Sequence, residues 1–143
     1  MKPFKQLSFH DNKTLLNLPV YIALLAANGD GKLDNEEKLA AIEFATIKTF
    51  AFDPLLETFY KELYGVFEKN IMQIDKNLPK EKIGRELAIK NQLVKIEKLV
   101  LKLDEQFVKV MYKNMNSLTT HISRAHHNML IDFIFPIPIS GIN

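Results

Sequence analysis

The sequence predicts an all-α protein of about five helices packed as a single bundle over residues 1–143. Three observations carry that reading. Apolar residues recur at spacings of three and four throughout, the period of a helix with one buried face. No run alternates polar and apolar residues between turn signals, so strands are not expected. The composition is that of a globular domain, 47% hydrophobic and 25% charged, with no cysteine. A chain of this length buries a core without disulfide or metal staples.

The first helix is expected over residues 18–27, LPVYIALLAA. It is apolar on every side, which suits a buried helix. Pro19 falls in its first turn, where the missing N–H is harmless. Asn28-Gly29-Asp30-Gly31 stops it. A second helix is expected over residues 35–51. Asp34 is its N-cap, and Glu37 stands three positions on, as in a capping box. Ala40, Phe44, Ile47 and Ala51 share one face.

Asp53-Pro54 opens a third helix. Leu56, Phe59, Leu63, Val66, Phe67, Ile71 and Ile74 mark its buried stripe, and Lys76-Asn77-Leu78-Pro79 ends it. The fourth is expected as one long helix near residues 80–116, roughly 55 Å at 1.5 Å per residue. Ile89, Leu93, Ile96, Val100, Leu103, Phe107 and Val110 follow a strict four-three heptad seam along it. The short connection favours packing of this seam on residues 54–75 as an antiparallel hairpin. The competing use is a homodimer through the same seam. A fifth helix is expected over residues 118–135, with Ser117 as cap. Pro136 and Pro138 force residues 136–143 into an extended apolar tail.

The charge pattern narrows the function classes. Nineteen basic and seventeen acidic groups leave a net of +2. They are mixed along the chain, without the single-sign field that nucleic acid binding requires. Residues 129–142 are apolar but carry Asp132 and two prolines, so no membrane span is expected. The opening MKPFKQLSFHDNK lacks a signal-peptide core, which reads as a cytoplasmic location. Catalytic frames are missing too. No serine sits in a Gly-x-Ser-x-Gly setting, and Gly29-Asp30-Gly31 lacks the third glycine of a phosphate loop. His10, His121, His126 and His127 have no Glu at helical spacing, which excludes an in-helix di-iron motif. The chain is therefore read as a non-enzymatic domain.

The loop between the first two helices is the candidate site. In an EF-hand frame, Asn28 takes the third position, Asp30 the fifth and Gly31 the sixth. Lys32 offers its carbonyl at the seventh, Asp34 takes the ninth and Glu37 the twelfth. Oxygen ligands on a tight glycine turn, closed by a helical Glu, suit a hard divalent cation such as calcium or magnesium. Ala26 occupies the first position, so one carboxylate is missing. The other reading is structural: Asp34 and Glu37 cap the next helix, the glycines make the turn, and Asp30 bonds the loop backbone.

The same residues carry a resemblance. Asp30-Gly31, then Leu33, then Glu36 or Glu37, preceded by the apolar residues 20–27, resemble the tellurite-resistance TerB-like family over residues 18–60. Gly29 stands where that family tends to have alanine. The resemblance implies a helical bundle, acidic residues that bind a divalent cation, and a link to metal or chemical stress. The alternative function is a protein–protein interaction or scaffold domain acting through the heptad seam and the apolar tail.

Overall fold

The protein is all-α. The computed structural model describes residues 4–27 and 56–122, with side chains to Thr119. Among the described residues there are five helices and no strand. They are α1 (Phe9–Leu15), α2 (Leu18–Ala26), α3 (Glu57–Asn77), α4 (Lys82–Val100) and α5 (Glu105–Ile122). The expected helix over residues 35–51 and the tail over 136–143 lie outside the described residues.

The core is organised around α2. Every residue of this helix except Tyr21 is buried. α3, α4 and α5 all pack against it, and α1 packs against α4. A helix with no polar face is stable only when neighbours cover it on all sides. The seam on α4 accordingly finds its main partner in α2. Ile89, Leu93, Ile96 and Val100 are all buried there. This corrects the expected α3–α4 hairpin as the dominant packing. The buried stripe of α3 is as expected: Leu56, Phe59, Leu63, Phe67 and Ile71 are buried, with Val66 and Ile74 half-buried. Asn70 of α3 donates to the Asn17 side chain at the start of α2 (3.1 Å).

The single long helix near residues 80–116 is not formed. α4 starts at Lys82, where the Glu81 carboxylate caps the Gly84 N–H. It ends at Val100. The chain then tightens through Lys102 N–H to Leu99 and Leu103 N–H to Val100, both bonds spanning three residues. α5 restarts at Glu105. The seam period survives the break only as far as Leu103, which is buried in the turn. Beyond it the buried apolar residues are Val108, Met111, Met115 and Leu118, while Phe107 and Val110 are half-buried. Four turn residues reorient the helix without disturbing the count of apolar positions, so the sequence pattern runs on where the backbone does not.

Ser117 caps nothing. α5 continues through it, and its hydroxyl donates to the Lys113 carbonyl (3.1 Å). The expected break before residue 118 is therefore absent, and residues 123–135 lie outside the described residues.

The N-terminal segment adds α1, which the apolar period did not reveal. Ser8 caps it by accepting from the Asp11 N–H (3.0 Å). Asn12 then ties the preceding turn down. Its Oδ1 accepts from the Phe4 N–H (3.0 Å), and its Nδ2 reaches the carbonyls of Phe4 (2.9 Å), Leu7 (3.1 Å) and Ser8 (2.9 Å). This holds Phe4 in the core, 5.2 Å from the Phe107 ring and 6.0 Å from that of Phe59. Asn12→Ala leaves the buried Phe4 N–H without its partner, while the Phe4 carbonyl keeps the Leu7 N–H. The substitution is expected to lower stability by about 1–3 kcal/mol, the cost of an unsatisfied buried polar group. Chemical denaturation measures it. A loss below about 0.5 kcal/mol would mean that the turn contributes little to the fold.

Candidate functional site

The five proposed ligands, Asn28, Asp30, Lys32, Asp34 and Glu37, lie outside the described residues. The structure describes the helix that precedes them in the sequence. Residues 18–26 form the most enclosed helix of the described set, and Ala27 closes it by donating to the Ala23 carbonyl (3.1 Å). The last turn of α2 carries no basic side chain. The helix therefore presents the negative end of its dipole to the residues that follow, an end that favours cations.

The missing first ligand has a packing explanation. Ala26, at the first position of the EF-hand frame, is helical and only 6% exposed. A carboxylate there would be drawn into the apolar core, where an unpaired charge is costly. Ala26→Asp would therefore weaken the fold before it could supply a ligand.

Among the described residues, no three His, Asp or Glu side chains come together in a way that could hold a metal. His10 lies on the exposed surface of α1. The side chains of His121, His126 and His127 are outside the described set. Two buried groups bear on chemistry, Tyr60 and Arg85. The Tyr60 hydroxyl has no hydrogen-bond partner among the described residues, and burial pushes its pKa up. It stays neutral and cannot serve as a base at physiological pH. Arg85 is held by Asp75: its Nη2 donates to the Asp75 carboxylate, and its Nη1 to the Asp75 carbonyl (3.5 Å). That pair joins α3 to α4. An open hollow at the start of α5 is lined by Asp104, Glu105, Gln106 and Lys109, with Glu105 and Lys109 paired at 3.3 Å. An ion pair on one helix turn is the ordinary furniture of an exposed helix.

The first five positions of the heptad seam are not free for a partner. Ile89, Leu93, Ile96, Val100 and Leu103 are each 6% exposed or less within one chain. A homodimer through that seam would first have to unpack the core. No described helix is long and apolar enough to cross a membrane. No family model, curated protein or solved structure matches the chain.

Proposed function

We propose that the chain is a non-enzymatic helical domain of TerB-like type, one bundle in the cytoplasm, whose loop over residues 28–37 takes up a divalent cation weakly. The observation that supports this is the setting of the loop. It leaves a helix buried on nearly every side, at the end whose dipole favours positive charge. Asn28, Asp30, Asp34 and Glu37 supply side-chain oxygens, and Lys32 its carbonyl. With Ala26 committed to the core, the shell lacks one carboxylate, and Lys32 adds a nearby positive charge. Affinity then falls at the weak end of the EF-hand range, about 10⁻⁴–10⁻³ M for calcium.

The test is thermal unfolding with and without calcium or magnesium, beside calorimetric titration. At 100 times the dissociation constant, calcium is expected to stabilise the fold by roughly 2.7 kcal/mol. Asp30→Ala should abolish the effect. A melting curve that does not move in about 10 mM of either ion, ten times the weak limit, rejects the cation reading. The loop is then a helix cap, and Asp34→Ala costs about 0.5–2 kcal/mol whether or not metal is added.

A further inference from the structure

α4 carries two apolar stripes, and the described helices pack on one. Ile89, Leu93, Ile96 and Val100 face α2. Ile83, Leu87, Val94 and Leu101 do not: they are 68%, 57%, 46% and 51% exposed. At about 100° per residue, these four fall within about 40° of one another around the helix axis. Leu87, Val94 and Leu101 are seven positions apart, the repeat of a helix-on-helix seam.

The charges beside this second stripe are uneven. Lys90 and Glu97 flank one side of it, Asn91 and Lys98 the other. Lys90 reaches Glu86 on its own helix (3.3 Å). Glu97 is placed differently. Its neighbours one turn away in either direction are Leu93, Val94, Val100 and Leu101, all apolar. Partial burial raises its pKa. A half-buried carboxylate among apolar residues is a group that a cation from outside the helix would stabilise.

We infer that the second stripe is a self-association surface, on which α4 of one copy packs antiparallel to α4 of another about a twofold axis at Val94. In that register, Leu87 meets the partner's Leu101, Val94 meets the partner's Val94, and Leu101 meets the partner's Leu87. All three layers are apolar. The same register sets Lys90 level with the partner's Glu97, to within one residue's rise of about 1.5 Å and on the same flank. Symmetry makes that pair twice. Asn91 likewise falls level with the partner's Lys98. Antiparallel packing also sets the two helix dipoles head to tail, which a parallel pair would not. The contact is isologous, so it closes at a dimer. One helix pair covers less than the roughly 1,200–2,000 Å² of a standard stable interface, so the association is reversible and concentration-dependent.

The cysteine-free chain makes a direct test available. Val94→Cys puts a single thiol on the axis, and mild oxidation is expected to give a covalent dimer. Leu87→Cys alone should stay monomeric, whereas Leu87→Cys with Leu101→Cys should cross-link. Lys95→Cys, exposed but off the stripe, reports random collision. In the uncross-linked protein, Lys90→Glu should weaken dimerisation about tenfold by turning two attractions into repulsions. Adding Glu97→Lys should restore it. All of these positions are exposed or half-exposed, and circular dichroism verifies that each variant folds. Three results would overturn the proposal: cross-linking of Lys95→Cys as fast as of Val94→Cys, cross-linking of Leu87→Cys alone, or a monomer mass by light scattering up to about 1 mM.

Discussion

Leu24→Ala is expected to lower the unfolding free energy by about 2–5 kcal/mol, the range for a large side chain removed from a closed core. Leu24 is fully buried on α2, and α3, α4 and α5 pack around that helix. Neighbours on several sides cannot all move inward to fill the space left by the lost methyl groups. The cost is then the lost burial plus a residual cavity, near the upper part of the range. For a chain of this size the melting temperature should fall by roughly 4–20 °C. Leu87→Ala, on the outer face of α4, is the matched control. The same truncation there starts from a side chain already 57% exposed, and should stay within about 0.5 kcal/mol. Denaturant unfolding of both variants measures the contrast. A loss below about 1 kcal/mol for Leu24→Ala would mean that α2 is not the centre of the bundle.

Much of this architecture is legible in the sequence, for reasons that particular residues make plain. α2 is readable because ten consecutive residues offer no polar face, and only a helix covered by neighbours tolerates that. The stripe of α3 is readable because a helix with one wet face must repeat its apolar positions every three or four residues. The break between α4 and α5 is hidden by that same logic. Leu103 remains buried within the turn, so the four-three count crosses a point where the backbone is not helical. The local signal was chemical instead: Asp104 followed by Glu105 is an acidic helix start. α1 is similar. Seven residues are too few to establish a period, but Ser8 and Asp11 form a capping pattern that names its first turn. The second stripe of α4 is masked in the sequence by the stronger seam beside it, which has the same seven-residue period. Only exposure separates the two. The choice of partner for each helix is not a local property at all. The α4 seam could fit α2 or α3 equally well by spacing, and burial of the wholly apolar α2 decides it. The expected ligands Asn28, Asp30, Lys32, Asp34 and Glu37 lie outside the described residues, and the structure adds only that Ala26 before them is buried.

Asp75→Ala should be among the most damaging single changes at a polar position, at about 3–5 kcal/mol, because it strands a buried charge. The Arg85 side chain is 3% exposed, one turn into α4, while the Asp75 side chain near the end of α3 is 31% exposed. The guanidinium has already lost its water, and its Nε has no partner among the described residues. Removing the carboxylate leaves it, among the described residues, with the Asp75 carbonyl alone. Water reaches the Asp75 side of the pair, which holds the expected loss toward the lower end of that range. Arg85→Met reverses the situation. It fills the same space with an apolar chain and leaves a carboxylate that can turn to solvent, so it is expected to lie between neutral and about 1 kcal/mol destabilising. Adding Asp75→Ala to Arg85→Met should then cost almost nothing, since no buried charge remains to be stranded. The pair of single variants and the double variant form a cycle whose coupling reports the interaction itself. The order of the two single losses decides the matter. If Asp75→Ala proves milder than Arg85→Met, the guanidinium escapes to water when its partner is removed, and its aliphatic stem, not its charge, is what joins α3 to α4.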